Sequence, residues 1–296
     1  MSEVSEVKVG FIGIGNMGWP MAMNVHEAGY NLTVFDLDSA LTERFSVESG
    51  ARSAVSLAEL GEMDFVITML PNGHVVREVL LETEDGAFIQ HAQKGCIVID
   101  MSSAEPTGTR ALAQELAKKD VVCIDAPVSG GVPRAKLGTL AIMIGAEDNQ
   151  ALEKARPLLQ TMGAQLFETG GIGAGHATKA LNNLIAATSF VATSEAMLAA
   201  KRFGLDLDTF VDVVNVSTGQ NFMTDKVMKD HVIGEQYATG LLVKDVGIAN
   251  ELCDAVNMHA PLSKLVLKRW QEALDVKGFS ADNSEAIQIW DRNTDD

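Results

Sequence analysis

The sequence Val7-Lys-Val-Gly-Phe-Ile12 runs directly into Gly13-Ile14-Gly15-Asn16-Met17-Gly18, and this stretch decides the fold. Residues 7–12 form a short apolar run, and residues 17–28 then show the apolar spacing of a helix. The glycines match G-x-G-x-x-G, which is a weak signal alone but stronger where it joins a strand to a helix. There the three glycines allow a tight turn, a close approach to a pyrophosphate and close packing of helix on strand. The loop therefore predicts a dinucleotide site.

Asp36 indicates which dinucleotide is bound. It ends the second apolar run, residues 32–35, and is followed by Leu37 rather than an arginine. A carboxylate at this position accepts hydrogen bonds from the adenosine ribose hydroxyls and repels a 2′-phosphate. We therefore expect NAD rather than NADP. The alternative is a solvated aspartate that opens a turn or caps the next helix.

Strands alternate with helices through the first half of the chain. Further short apolar runs lie at residues 65–70, 97–99, 121–124 and 140–144, with helical stretches such as 107–118 between most of them. Such alternation predicts an α/β fold with a mostly parallel, doubly wound sheet. The apolar runs are continuous, as expected for strands that are covered on both faces.

The second half of the chain has a different pattern. Residues 174–203 form one helical stretch that ends before Gly204, about 45 Å long at 1.5 Å per residue. More helical segments follow at residues 207–214, 222–231, 241–256, 262–276 and 284–290. We therefore predict an N-terminal dinucleotide-binding domain over residues 1–172 and an all-α domain over residues 173–296, joined by the long helix.

Composition excludes several classes of function. The net charge is −17, and so acidic a surface repels nucleic acid and anionic membranes. The first residues show no export signal, and the three cysteines are scattered without a CxxC pair. We expect a cytoplasmic protein that binds neither nucleic acid nor membrane and holds no metal.

Two later segments follow the carboxyl ends of predicted strands, which is where ligands bind in such a sheet. Residues Met69-Leu70-Pro71-Asn72 follow one apolar run, and Ser102-Ser103 follow the next. We expect these segments to contact the ribose and the nicotinamide. Each taken alone is also consistent with a turn or a helix cap.

The loop Asp125-Ala-Pro-Val-Ser129-Gly130-Gly131 follows another strand. Two glycines after a serine expose backbone N–H groups, and such a nest can hold a carboxylate. The same string is equally consistent with an ordinary loop.

The long helix opens with Gly173-Ala-Gly175-His-Ala-Thr-Lys179 and continues to Asn182-Asn183. Lys179 and Asn183 are four residues apart and therefore share one helix face, which Asn182 borders. Polar groups among small and apolar neighbours are costly to bury without partners, which indicates a site. The alternative is a lysine whose stem lies on apolar surface while its charge reaches water.

These motifs together resemble the β-hydroxyacid dehydrogenase family, which includes 3-hydroxyisobutyrate dehydrogenase and tartronate semialdehyde reductase. Four motifs match in order and span residues 10–245: residues 10–21, residues 125–131 with 138–140, residues 173–183, and Lys244-Asp245. The resemblance implies a Rossmann-type fold and an NAD-dependent reaction of a small 3-hydroxy acid.

By this resemblance Lys179 is the catalytic acid and base. Substrate contacts are implied for Ser129, Gly130, Gly131, Asn182 and Asn183. Lys244 would approach both the nicotinamide and the substrate, and Gln220 would line the substrate tail. Cofactor contacts are implied for Gly13, Gly15, Asn16, Met17, Gly18, Asp36, Met69, Leu70, Pro71 and Ser103.

Other functions remain open on the sequence. A non-catalytic NAD-binding or scaffold protein would share the fold, but Lys179, Asn183 and Lys244 are all present here. A 6-phosphogluconate-type enzyme usually has a larger helical domain, and imine reductases usually lack the lysine. The substrate is undecided between 3-hydroxyisobutyrate, glycerate, serine, threonate and 2-(hydroxymethyl)glutarate. Long apolar helix faces predict packing between subunits, and the resemblance implies a homodimer or homotetramer.

Overall fold

Strand β1, Lys8–Ile12, lies inside a nine-stranded sheet in the computed structural model, which describes residues 3–82, 87–228 and 238–291. The strand order is β3-β2-β1-β4-β5-β6-β8-β7, and β9 pairs with β8. The other strands are β2 Asn31–Phe35, β3 Arg52–Ser53, β4 Phe65–Thr68, β5 Ile97–Asp100, β6 Val122–Asp125, β7 Val128–Ser129, β8 Leu140–Gly145 and β9 Gly163–Gly170.

Most strand pairs are parallel, and β8 is antiparallel to both β6 and β7. The α-helices described between these strands are α1 Gly18–Glu27, α2 Ser39–Ser49, α3 Gly73–Arg77, α4 Pro106–Ala117, α5 Gly131–Lys136 and α6 Asn149–Met162. The expected α/β architecture with a mostly parallel sheet is confirmed.

Successive residues of each central strand enter two different hydrophobic cores. Ile97 and Ile99 of β5 belong to one buried cluster, and Val98 between them belongs to the other. Side chains of a strand alternate between its faces, so the two clusters lie on opposite faces of the sheet. This double burial explains why the strands read as continuous apolar runs.

Helix α7, Ala174–Phe203, has the bounds that the sequence predicts. It begins in the first of two compact units, Met1–Lys179, and continues into the second, Ala180–Asp296. By length and composition alone it is the one helix among the described residues that is apolar enough to span a bilayer, and core helices of soluble proteins share that composition. The predicted domain division between residues 172 and 173 stays a prediction.

The second unit is helical where it is described, apart from one isolated bridge between Ala238 and Asp282. After α7 come α8 Leu207–Asn215, α9 Thr239–Ala255, α10 Pro261–Lys277 and α11 Ala286–Trp290. Their core contains Phe190, Val246, Trp270 and Trp290. The expected all-α C-terminal part is therefore confirmed.

Three local features differ from the sequence analysis. Strand β9 was not expected, because its residues are mostly exposed and mix polar with apolar side chains, so they show no buried apolar run. Strand β7 is only two residues long. The helix expected over residues 222–231 is a π-helix over Met223–Met228, and residues 229–231 lie outside the described residues.

Candidate functional site

The carboxyl ends of four strands lie side by side. Ile12 pairs with Thr68, Thr68 pairs with Asp100, and Asp100 pairs with Asp125. The loops that follow these residues therefore begin at one edge of the sheet, hereafter the carboxyl edge. In open α/β sheets this edge is where ligands bind.

The glycine loop lies between β1 and α1 at the carboxyl edge. Gly13 has a φ of +92°, which an L side chain rarely adopts. A Cβ on Gly18 would strike the carbonyl of Gly13, whereas a Cβ on Gly15 would meet nothing within 4 Å. Met17 precedes α1 and has no side-chain oxygen that could cap it. The loop and the free helix start therefore fit a dinucleotide pyrophosphate.

Asp36 lies directly after β2 and bonds to the glycine loop. Its Oδ2 accepts a hydrogen bond from the Ile14 N–H at 2.9 Å, and its Oδ1 accepts one from the Asp38 N–H at 3.0 Å. Asp38, and not Asp36, caps α2. The carboxylate oxygens have further lone pairs for ribose hydroxyls, so the residue fits its expected role.

The two loops after β4 and β5 are bonded to each other. The Leu70 N–H donates to the Ser102 hydroxyl at 2.9 Å, and Ser102 is fully buried. Asn72 caps α3 by accepting a hydrogen bond from the Val75 N–H. Of the expected cofactor contacts in these loops, Met69, Leu70 and Ser103 are partly exposed and Pro71 is exposed.

The serine-glycine loop continues from β6 into α5. Gly130 and Gly131 have φ values of +136° and +65°, and both residues are exposed. Ser129 is partly exposed and pairs with Ala141 in β8. The loop therefore has the backbone freedom and the exposure that carboxylate binding requires.

Lys179 lies on the second turn of α7, and the first turn of that helix is bonded to the carboxyl edge. Asp125 accepts hydrogen bonds from the N–H groups of Gly173 and His176, at 2.6 and 2.8 Å. Five residues from Ala174 to Lys179 advance about 8 Å along the helix axis. The lysine backbone is therefore held close to the edge that carries the glycine loop.

In the second unit, the predicted residues Asn183 and Lys244 meet at one buried carboxylate. The Asn183 amide donates to Asp245 Oδ2 at 2.6 Å, and Lys244 Nζ lies 3.1 Å from Asp245 Oδ1. Asp245 is 1% exposed. Asn182 donates to the Asn183 side-chain oxygen at 3.1 Å. The hydrogen bond to Asp245 fixes the orientation of the Asn183 amide, and Asn182 is bonded to that amide.

Gln220 lies in the exposed loop after α8. Its neighbour Asn221 accepts hydrogen bonds from the N–H groups of Met223 and Thr224. Asn221 therefore caps the start of the π-helix. The role of Gln220 at the substrate tail stays a prediction.

Asp100, Asp125 and His176 are all buried at the carboxyl edge, and no role is predicted for their side chains from the sequence. Burial raises the pKa of Asp125, and this rise is opposed by the nearby His176 and by the N–H donors of His176 and Gly173. A signal was present: two consecutive apolar strands end in an aspartate. A buried carboxylate needs partners.

Within the described ranges no three histidine, cysteine, aspartate or glutamate side chains converge as metal ligands. The three cysteines are buried and free. Burial raises the pKa of Cys96 to about 12, with a smaller contribution from Asp64. Such a thiol is unreactive at neutral pH.

Two family models together match nearly the whole chain. Residues 8–171 match the NAD binding domain of 6-phosphogluconate dehydrogenase. Residues 173–290 match the NAD-binding domain of NADP-dependent 3-hydroxyisobutyrate dehydrogenase. The helical half therefore resembles the 3-hydroxyisobutyrate dehydrogenase type.

Three curated relatives match over most of their length. The chain is 30% identical over 293 residues to 2-(hydroxymethyl)glutarate dehydrogenase of Eubacterium barkeri, covering 97% of this chain and 96% of that protein. It is 34% identical to NAD-dependent L-serine dehydrogenase of Pseudomonas aeruginosa, covering 95% and 96%. It is 36% identical to mitochondrial 3-hydroxyisobutyrate dehydrogenase of Drosophila melanogaster, covering 96% and 88%.

A solved structure of Mycobacterium tuberculosis 3-hydroxyisobutyrate dehydrogenase with L-serine superposes with a TM-score of 0.88 at 29% identity, covering 96% of this chain and 99% of that one. An imine reductase from Myxococcus stipitatus superposes with a TM-score of 0.66 at 16% identity, covering 96% and 99%, and shows the shared fold alone. The chain therefore belongs to the β-hydroxyacid dehydrogenase family and is an NAD-dependent oxidoreductase of hydroxy acids.

Proposed function

We propose that the protein interconverts a small 3-hydroxy acid, such as 3-hydroxyisobutyrate, glycerate or threonate, and its semialdehyde or oxo acid. Lys179 serves as the general acid and base. The observation that carries the proposal is the anchoring of the first turn of α7 to the carboxyl edge through Asp125. This anchoring holds the lysine backbone about 8 Å along the helix axis from the edge that carries the glycine loop.

Different residues of the chain transfer the proton and bind the substrate carboxylate. In oxidation, Lys179 Nζ accepts the proton of the substrate hydroxyl, and in reduction the same group, as an ammonium, returns it. The backbone N–H groups of Gly130 and Gly131, with the Ser129 hydroxyl, hold the substrate carboxylate. Bound NAD supplies the hydride acceptor at nicotinamide C4. Proton and hydride leave together, so the alcohol becomes a carbonyl without another reactant.

Asn183 orients the substrate from the next turn of the same helix. Its amide nitrogen is already bonded to Asp245, which leaves the amide in one orientation. Lys244 lies beside that carboxylate and provides a positive charge for an anionic substrate.

Replacing Lys179 by alanine tests the acid–base role. We expect Lys179→Ala to lose turnover by at least about 100-fold, the smaller end of general acid–base contributions, and to keep NADH binding. Lys201→Ala is the matched control, because Lys201 lies on the same helix and is 63% exposed beside Asp291. Turnover of Lys179→Ala within a few-fold of that control would refute the assignment.

The substrate tail is proposed to meet the loop at Gln220. We expect Gln220→Ala to lower kcat/KM for threonate or glycerate more than for 3-hydroxyisobutyrate, because an amide can bond extra hydroxyls. Steady-state kinetics on the three acids measures the difference. Equal losses on all of them would contradict the assignment.

A further inference from the structure

Six buried polar side chains form one connected group at the carboxyl edge, hereafter the edge network. None of them is more than 3% exposed, and they come from β4, β5, β6, α4, α7 and the loop after β5: Thr68, Asp100, Ser102, Thr109, Asp125 and His176. Burying this many polar groups is costly unless each has a partner. The proposed chemistry uses none of these side chains directly, so their concentration here needs another explanation.

Asp125 attaches the start of α7 to the end of β6. Its two carboxylate oxygens accept hydrogen bonds from the Gly173 and His176 N–H groups at 2.6 and 2.8 Å. The first N–H groups of a helix have no partner within the helix, and a carboxylate there is also favoured by the helix dipole. Both oxygens are used, so the helix start is fixed in position and in rotation.

His176 attaches the same turn of α7 to two further elements. Its Nδ1 lies 2.7 Å from the hydroxyl of Thr109 in α4, and its Nε2 lies 3.1 Å from the carbonyl oxygen of Ser102. A carbonyl oxygen only accepts, so Nε2 carries the hydrogen and donates it. Asp100 and Asp125 each lie 3.8 Å from one ring nitrogen.

Asp100 and Ser102 organise the cofactor side of the edge network. Asp100 Oδ1 accepts hydrogen bonds from the Thr68 hydroxyl at 2.9 Å and from the Ser102 N–H at 3.0 Å. The Ser102 hydroxyl accepts from the Leu70 N–H at 2.9 Å. The edge network therefore holds both α7 and the two loops that carry the expected cofactor contacts Leu70 and Ser103.

From these contacts we infer that Asp125 and His176 are positioning residues. They set the position of Lys179 along the axis of α7, and its rotation about that axis, relative to the loops expected to contact the nicotinamide. Lys179 is three residues after His176 and projects from a neighbouring part of the helix surface. This inference rests on the proposed role of Lys179. An error of about 1 Å in placing a reacting group can cost about 100-fold in rate.

The first experiment measures the anchoring without catalysis. Hydrogen–deuterium exchange of residues 171–181 in the protein without cofactor reports on the Gly173 and His176 N–H groups that Asp125 holds, and on opening of the turn that the His176 ring attaches to Thr109 and Ser102. We expect faster exchange there in Asp125→Asn and His176→Gln, and unchanged exchange in α6. An unchanged exchange rate at residues 171–181 in both variants would overturn the inference.

The second experiment measures the effect on catalysis. We expect Asp125→Asn to lower kcat by about 100-fold while the Kd of NADH stays within about threefold of wild type. The deuterium isotope effect on kcat, with L-serine or 3-hydroxyisobutyrate deuterated at C3, should rise because hydride transfer becomes slower. His176→Gln and Thr109→Val leave the Asp125 carboxylate and its two hydrogen bonds in place and should give smaller changes in the same direction. They also keep the test valid if Asp125→Asn does not fold.

Asp148→Ala is the matched control. Asp148 caps α6 by accepting hydrogen bonds from Gln150 and Ala151 N–H groups, and α6 carries no predicted site residue. We expect this variant to lower Tm without changing kcat or the isotope effect. If Asp125→Asn and His176→Gln behave like Asp148→Ala, the edge network is structural only and the inference is overturned. If instead Lys179→Ala keeps its turnover, the proposed function itself fails.

Discussion

Gly130 lies beneath the side chain of Arg134 in the serine-glycine loop. A Cβ added to Gly130 would lie 2.6 Å from Arg134 Cδ and 2.8 Å from Arg134 Cβ. The glycine also has a φ of +136°, which costs an L residue about 1–3 kcal/mol. A side chain at residue 130 would therefore displace the backbone N–H groups that are proposed to hold the substrate carboxylate.

We therefore expect Gly130→Ala to lower kcat/KM by roughly tenfold or more, equivalent to about 1.4 kcal/mol, without weakening NADH binding. Gly108→Ala in α4 is the control, because a Cβ there meets only Glu105 at 3.9 Å. Steady-state kinetics and NADH fluorescence titration provide the two readings. An unchanged kcat/KM in Gly130→Ala would mean that this loop does not bind the substrate.

The residue patterns that sequence could predict are local ones. The glycine loop is a contiguous motif, and the spacing of Lys179 and Asn183 follows from helix geometry alone. The edge network was not predicted, because Asp125 and its partner Gly173 are 48 residues apart. Similarly, the pairing of Asn183 with Asp245 joins two helices, and no periodicity reports such a contact.

Among the elements, α7, α10 and α11 share an aromatic cluster in the second unit. The rings of Phe190 and Trp270 are 5.3 Å apart, and those of Trp270 and Trp290 are 5.1 Å apart. Trp270 is fully buried, and its indole N–H donates to the Ala187 carbonyl at 3.3 Å. A single side chain therefore contributes both packing and a hydrogen bond to this core.

We expect Trp270→Ala to lower the free energy of unfolding by about 3–5 kcal/mol, the usual cost of deleting a large buried aromatic. Urea denaturation followed by circular dichroism measures it. Leu262→Ala, on the same helix but at a 60% exposed position, should change stability by no more than about 0.5 kcal/mol. A loss below 1 kcal/mol in Trp270→Ala would show that the cluster is not a stabilising core.

Element prediction succeeded where burial is strong and failed where it is weak. Buried strands such as β4 and β5 were predicted within two residues, and α7 was predicted with its observed bounds. Strand β9 has only one buried residue, Gly163, so its formation depends on pairing with β8 rather than on a hydrophobic pattern. Whether such a weakly buried segment forms a strand depends on its pairing with a neighbouring strand in the folded chain.

At the scale of the whole molecule, we propose that the protein is a homodimer or homotetramer. Leu181 and Ile185 are one helical turn apart on α7 and are 41% and 68% exposed. Exposed apolar neighbours on a long helix favour packing against another subunit. Sedimentation velocity at micromolar concentration should show a species larger than the 31.6 kDa monomer. A monomer at that concentration would contradict the proposal.

The most direct test of the proposed function is the formation of NADH from a panel of small 3-hydroxy acids, with NAD and NADP compared side by side. The panel contains 3-hydroxyisobutyrate, L-serine, glycerate, threonate and 2-(hydroxymethyl)glutarate. We expect turnover of at least one of these acids, faster with NAD than with NADP because of the carboxylate of Asp36. No reaction with any of these acids and either cofactor would contradict the proposed function.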